Sequence, residues 1–308
     1  MPFALGFVIG QVSGPVLAPH IDRLLFSLFF GVGLAITAVP ILGRILREFD
    51  LTRTEIGVVA ISAAAANDVA GWVLLAGISA YAAAAFSPEA VMLQVGGIVV
   101  LAAATWFLLR RLVHRLLARY PVVGGDLPPN LMTIVLCMVF ALGICTFELG
   151  IFAIFGGFLA GLLFRHDKAF VETWRRQVGK FVLVFFLPVF FTYTGLRTNV
   201  LGLQGAGDWS WLAVVLAAAV LGKMIPVYIA GRLSRFSHGD SAILGSLMNT
   251  RALMELIVLN IGYDIGVLPQ KVFTILVIMA VSTTVMTGPL LRLLLSRAGY
   301  AVPEGVEA

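Results

Sequence analysis

The chain has 308 residues, of which 60% are apolar and only 12% charged, and its mean hydropathy is +1.02. Soluble domains carry about 25% charged residues, so this composition excludes a soluble domain and marks an integral membrane protein. The net charge of +5 is no sign of nucleic-acid binding, because its distribution along the chain has a membrane explanation.

Apolar runs of roughly 20 residues, the length that crosses a ~30 Å hydrocarbon core as a helix, recur along the whole sequence. Period-2 alternation is absent, which argues against a β-barrel. The first run, 2–18, carries Gly6, Gly10 and Gly14 as a small-residue stripe, a pattern of close helix packing rather than chemistry. The second, 24–46, holds Thr37 and then Pro40 in mid-span. Proline cannot donate to the helical ladder and clashes with the preceding turn, so a break is expected there. Unwinding frees backbone carbonyls, and the Thr37 hydroxyl can join them as an oxygen ligand; a bond to its own i−4 carbonyl is the competing reading.

The third run, 54–85, places Asn67 and Asp68 side by side in an otherwise apolar helix. A carboxylate near the bilayer centre costs roughly 2.5–3.5 kcal/mol on insertion scales, and nothing local offsets that. Asp68 therefore reads as a proton- or cation-binding carboxylate, with a structural helix-capping or lysine-paired role as the alternative. Asn67 points about 100° around the helix from it, placed to brace the site rather than share an ion directly.

Runs four to seven cover 90–118, 130–147, 149–165 and 178–196, with a polar stretch, 166–178, expected at the interface. Cys137 and Cys145 are eight apart on one helix, about 12 Å at 1.5 Å per residue, too far for a disulfide. Glu148 falls at a span end. His20, His114, His166 and His238 do not cluster, so no transition-metal site is expected.

The eighth run, 209–232, carries Lys223 about halfway through, too deep to reach the interface, and a carboxylate partner is expected for it. The ninth, 240–262, is interrupted by Asn249, Thr250, Arg251 and Glu255. Arg251 and Glu255 are spaced to share a helix face, and charge compensation at a helix break is their expected role. The tenth run is 270–295.

Alternate connections differ sharply in charge. Sixteen of the 21 basic residues fall on one side, three (Arg23, Arg197, Lys271) on the other, and Lys223 and Arg251 lie within spans. This asymmetry follows the positive-inside rule for about ten spans, with both termini cytoplasmic. Runs one to three and eight to ten each place a broken helix second, and their offset gives them opposite orientation. Interrupted helices in matching places of two halves point to an inverted-repeat transporter with its ion site where the breaks cross. A membrane-embedded enzyme would need a second mid-span aspartate or histidine near Asp68, and none is near in sequence, so neither an enzyme nor a cofactor is expected.

Four stretches carry a resemblance: ITAVPILGRIL at 36–46, SAAAANDVAGW at 62–72, FGGFLAG at 155–161 with LPVFFTYTGL at 187–196, and MNTRALMELIVLNIG at 248–262. Together, in this order, they resemble the second subfamily of monovalent cation:proton antiporters, in particular the plant cation/proton exchangers and their bacterial relatives. The resemblance implies an all-α polytopic membrane protein with two crossed broken helices and elevator-like alternating access. Asp68, Asn67 and Thr37 would bind the ion, Lys223, Arg251 and Glu255 would compensate charge, and Pro40, Asn249 and Thr250 would form the breaks. Monovalent cation (Na⁺ or K⁺) and proton would be the substrates; a partner-gated potassium efflux channel of related fold is the alternative. Electrogenic relatives carry two adjacent aspartates where this chain has Asn67 and Asp68, which favours electroneutral exchange.

The expected organisation is a first core half at 1–85, a linker helix at 86–127, a dimerisation panel at 128–207, a second core half at 208–297 and a cytoplasmic tail at 298–308. The lipid bilayer and a second copy of the chain are the expected partners, a regulatory subunit is open, and a bacterial inner membrane is the expected location. The family has further helices before the equivalent of the first span, so the chain is expected to be short at its N-terminus.

Overall fold

The computed structural model describes residues 1–83, 88–122, 124–149, 153–251 and 253–300. The last residues of the expected tail, the end of the third span, the start of the sixth and Ala252 lie outside the described residues. Among those described, the protein is α-helical with no strand. In chain order come α1 (Pro2–Leu17), α2 (Arg23–Ala35), α3 (Val39–Glu48), α4 (Glu55–Ala83) and α5 (Pro88–Ala104). A π-helical turn (Thr105–Leu109) joins α5 to α6 (Arg110–Arg119), followed by α7 (Pro129–Glu148) and α8 (Ala153–Phe164). Then α9 (Lys168–Trp174) runs through two π turns into α10 (Leu187–Arg197), and α11 (Ala206–Leu233), α12 (His238–Met248), α13 (Leu253–Asp264) and α14 (Gln270–Arg297) complete the chain.

Counting helical runs across their breaks and π turns, eight in the described residues are long and apolar enough to cross a membrane. Two shorter apolar helices, α1 and α8, stand where the first and sixth spans were expected. The protein is thus a polytopic membrane protein. The polar stretch expected at the interface, 166–178, enters the same helix as the seventh span, which is continuous over Lys168–Arg197. Asp167 caps its start, accepting from the Phe170 amide at 2.8 Å, so the helix begins in the polar stretch.

The chain divides into two compact units, one formed by Met1–Leu75 with the chain from Thr194 onward, the other by Ala76–Tyr193. In the first, α1 lies against α2 through its glycines: a Cβ on Gly6 would stand 2.9 Å from the Gly31 Cα, and one on Gly10 would stand 2.7 Å from the Ser27 Cα. Leu42, Leu46, Ala60, Ala64, Ile243, Leu247, Leu291 and Leu295 form one buried cluster tying together α3, α4, α12 and α14. Two triplets therefore share a core, α1–α2/α3–α4 and α11–α12/α13–α14, each with an interrupted helix in its middle. In the second unit, α7 and α8 form a hairpin so close that a Cβ on Gly156 would fall 2.2 Å from the Gly143 amide nitrogen.

Candidate functional site

The first break spans Ile36–Ala38, with Pro40 at the second position of α3. A missing N–H costs nothing there, because the first turn has no intrahelical acceptors. The non-helical backbone of Ile36–Ala38 leaves the Ile36 carbonyl without a helical donor. The backbone groups of the break find partners elsewhere in the unit. The Thr37 amide donates to Asn67 Oδ1 at 2.9 Å. The Ala38 amide donates to the Thr250 carbonyl at 3.2 Å, so the two breaks touch.

The second break spans Asn249–Arg251, between α12 and α13. Its arginine is fully buried and reaches across to the first. Arg251 Nη1 donates to the Gly33 carbonyl at 3.1 Å, and Nη2 to the Leu34 carbonyl at 2.9 Å and the Ala219 carbonyl at 3.3 Å. Gly33 and Leu34 are among the last carbonyls of α2, the end where orphan acceptors and the negative pole of the helix dipole coincide. Nη1 also meets Glu255 Oε2 at 3.3 Å, with both side chains fully buried. The Arg251 amide donates to Thr284 Oγ1 at 3.2 Å.

Lys223, on α11, is buried and donates to the Ile36 carbonyl. The sequence suggested a carboxylate partner for it. Among the described residues it forms no ion pair, and its amino group instead takes the acceptor that the break leaves open. Two cations thus converge on the C-terminal end of α2, where charge and orphan acceptors both favour them.

On α4, Ala60, Ala64, Trp72 and Ala76 are buried at four-residue spacing, and Asp68 belongs to that row while being half-buried itself. Its Oδ1 is shielded from solvent and has no hydrogen-bond partner among the described residues. Neither has the hydroxyl of Thr37, which is fully buried. Thr37 makes the bond to Asn67 through its amide, and Asp68 follows Asn67 in the chain. One turn on, a Cβ at Gly71 would come within 3.0 Å of the Ile36 side chain, so α4 lies directly against the first break. Asn249 Oδ1 and Glu255 Oε1 are likewise buried without partners.

A matching family model, sodium/hydrogen exchanger transmembrane, covers residues 1–297. The chain belongs to the sodium/hydrogen exchanger family. Among members of this family, it is 36% identical over 306 residues to cation/H(+) antiporter 18 of Arabidopsis thaliana, covering 99% of this chain and 38% of that protein. It is 35% identical to the Na(+)/H(+) antiporter NhaS4 of Synechocystis, over 94% of this chain and 70% of that protein. It is 29% identical to K(+)/H(+) antiporter 1 of Saccharomyces cerevisiae, over 89% of this chain and 32% of that protein. The chain spans less than two fifths of the length of the plant exchangers it matches.

Within this family member, the residues named from the sequence gather at one place. Thr37, Asn67, Lys223, Thr250, Arg251 and Glu255 are joined by the bonds described above, with Pro40 and Asp68 next to them in the chain. Sequence reasoning missed the threonines of α14. Thr283 supplies a carbonyl to Asn249 Nδ2 at 3.4 Å, and Thr284 receives the Arg251 amide. With Thr287 they form a run at helical spacing inside an apolar span, a signal that was available.

Proposed function

We propose that the chain exchanges a monovalent cation, Na⁺ or K⁺, for protons across a membrane, with Asp68 alternately protonated and cation-bound. The observation that carries this reading is that Asp68 Oδ1 and Thr37 Oγ1 are both buried without partners, Thr37 being tied through its amide to Asn67, the chain neighbour of Asp68. A buried acceptor without a donor is costly, and a proton or a desolvated cation removes that cost. Both compete for one carboxylate, so occupancy by one excludes the other, and that competition couples the fluxes. Lys223 and Arg251 are engaged by backbone carbonyls and Glu255, which leaves Asp68 as the carboxylate for the transported ion. One carboxylate exchanging one proton for one cation moves no net charge.

The names of the relatives support a transporter rather than an enzyme, and an antiporter rather than a partner-gated channel. We further propose a bacterial inner membrane as the location, with the sixteen-residue basic side of the chain facing the cytoplasm, and a homodimer as the working form. The test is proton flux in proteoliposomes holding a pH gradient, with Na⁺ or K⁺ added. The native chain should show saturable, cation-evoked flux, and Asp68→Asn should abolish it while eluting as a folded protein. Undiminished flux in the variant would overturn the assignment; cation flux without proton counterflow would favour the channel.

A further inference from the structure

The second unit contains a cleft of about 960 Å³ lined by the π turn and α6 on one side and by Leu163, His166 and Asp167 at the end of α8 on the other, which the exchange reaction does not use. Its charged lining is unbalanced. Arg110, Arg111 and Arg115 line it on α6, and none forms an ion pair among the described residues. The lining carboxylate, Asp167, is committed to capping α9 through its bond from the Phe170 amide. On the apolar side stand Trp106 and Phe107, exposed at 44% and 68%.

Trp106 organises the cations. The Arg110 guanidinium lies 5.0 Å from its ring centroid and that of Arg165 5.8 Å, so two arginines flank one indole. Arg165 is held further by its bond to His166 Nε2 at 3.0 Å. The π turn Thr105–Leu109 sits immediately before the arginines. Such a turn adds a residue to the helical repeat, and it recurs at functional sites. Here it places Trp106 one turn from Arg110.

Basic connections alone follow from the positive-inside rule, but that rule asks for no cleft, no indole shared by two guanidinium groups and no lining with three arginines to one carboxylate. We propose that this cleft is a binding site for an anionic phospholipid of the adjacent leaflet, its phosphate held by Arg110, Arg111 and Arg115 and the start of its acyl chains lying along Trp106 and Phe107. Guanidinium groups match phosphate oxygens in geometry and charge, basic pockets between membrane helices bind acidic headgroups, and tryptophan favours the headgroup level. The volume exceeds the needs of a single inorganic anion and suits a headgroup with its glycerol. The site is independent of the exchange reaction and of Asp68.

The experiment is native mass spectrometry and thermal unfolding of the purified full chain with phosphatidylglycerol, cardiolipin, phosphatidylcholine or inorganic phosphate. The comparison is between the native chain, the triple variant Arg110→Gln/Arg111→Gln/Arg115→Gln and a control, Arg44→Gln/Arg47→Gln, which removes basic residues from another connection. All five positions carry good helix formers before and after substitution, so folding is preserved, and elution volume checks it. The expected result is retained anionic-lipid adducts and a raised unfolding temperature in the native chain and the control. Affinity in the triple variant should fall on the order of a hundredfold, about fivefold for each basic residue lost. Equal losses in control and triple variant, unchanged binding in the triple variant, or a full shift from inorganic phosphate alone would each overturn the proposal. A separate variant, Trp106→Leu, should weaken lipid adducts with all the arginines in place; no change there would remove the indole from the site.

Discussion

Lys223 donates its ammonium group to the carbonyl of Ile36, the acceptor that lies four residues before Pro40. In an unbroken helix that carbonyl would take the N–H of residue 40, and proline has none. The lysine therefore answers the break on another helix, where non-helical backbone at Ile36–Ala38 takes this carbonyl out of the ladder. A double-mutant cycle tests this. Lys223→Met leaves the Ile36 carbonyl buried without a donor, a cost of about 1–3 kcal/mol, set against the relief of no longer burying an ammonium. Pro40→Ala lets the break rewind, and only a rewound helix brings an N–H at residue 40 to the same carbonyl. The two substitutions should couple, with Lys223→Met better tolerated by about 1 kcal/mol when residue 40 is alanine. Thermal unfolding of the four proteins in detergent measures the coupling, and additive effects would show that proline and lysine act separately.

Arg251 serves three helices at once, through the carbonyls of Gly33, Leu34 and Ala219 and the carboxylate of Glu255. Removing it by Arg251→Met strands a fully buried carboxylate and three acceptors. Breaking a buried pair from one side costs about 3–5 kcal/mol, enough to lower the yield of folded protein severely. Adding Glu255→Gln should recover part of the loss, since the unpaired charge goes too. Arg251→Lys should fare little better than methionine, because an ammonium lacks the fork that spans these acceptors. Gel filtration after a heating series reads all three, and a native-like midpoint for Arg251→Met would remove the arginine from its role as the tie between breaks.

The breaks themselves were legible in the sequence, because a proline and a run of Asn, Thr and Arg inside apolar spans are local signals. So was the Arg251–Glu255 pair, which depends only on four-residue spacing. Partners that are backbone carbonyls left no trace: any residue at position 36 offers the same oxygen, so a search among side chains led Lys223 to a carboxylate. The bond from the Thr37 amide to Asn67 joins positions 30 apart, and only the packing of α4 against the break reveals it. The composition of 166–178 did not show that the stretch shares one helix with the seventh span; that follows from backbone continuity, which the π turns preserve.

The glycines of α1 make a prediction with its own control. Gly10 faces α2 so closely that a Cβ would lie 2.7 Å from the Ser27 Cα, a backbone atom that cannot step aside. Gly10→Val should push α1 from α2 and cost about 1–3 kcal/mol or more. Gly43, on α3, has nothing within 4 Å of its added Cβ. Gly43→Ala should be neutral or stabilising by up to about 1 kcal/mol through helix propensity. Opposite shifts in the unfolding midpoint are expected; similar shifts would mean that the α1–α2 contact does not contribute to stability.

Asn67 offers the sharpest test of how charge is counted in the proposed exchange. Its Oδ1 accepts from the Thr37 amide, and an aspartate keeps an acceptor at the same place. Asn67→Asp should therefore preserve the break and the fold. Asn67→Ala should not, because the Thr37 amide loses its acceptor at a cost of about 1–3 kcal/mol. The aspartate variant also sets a second carboxylate beside Asp68. With one carboxylate, a proton and a monovalent cation replace each other and the cycle moves no net charge. With two, two protons can replace one cation, and each cycle then moves one charge. Proteoliposomes adsorbed on a solid-supported membrane report this directly as a transient current on adding cation. The native chain should exchange without current, Asn67→Asp should exchange with current, and Asn67→Ala should do neither well. A current from the native chain would place a second titrating group in the cycle, and the buried, partnerless Glu255 Oε1 would be the first place to look for it.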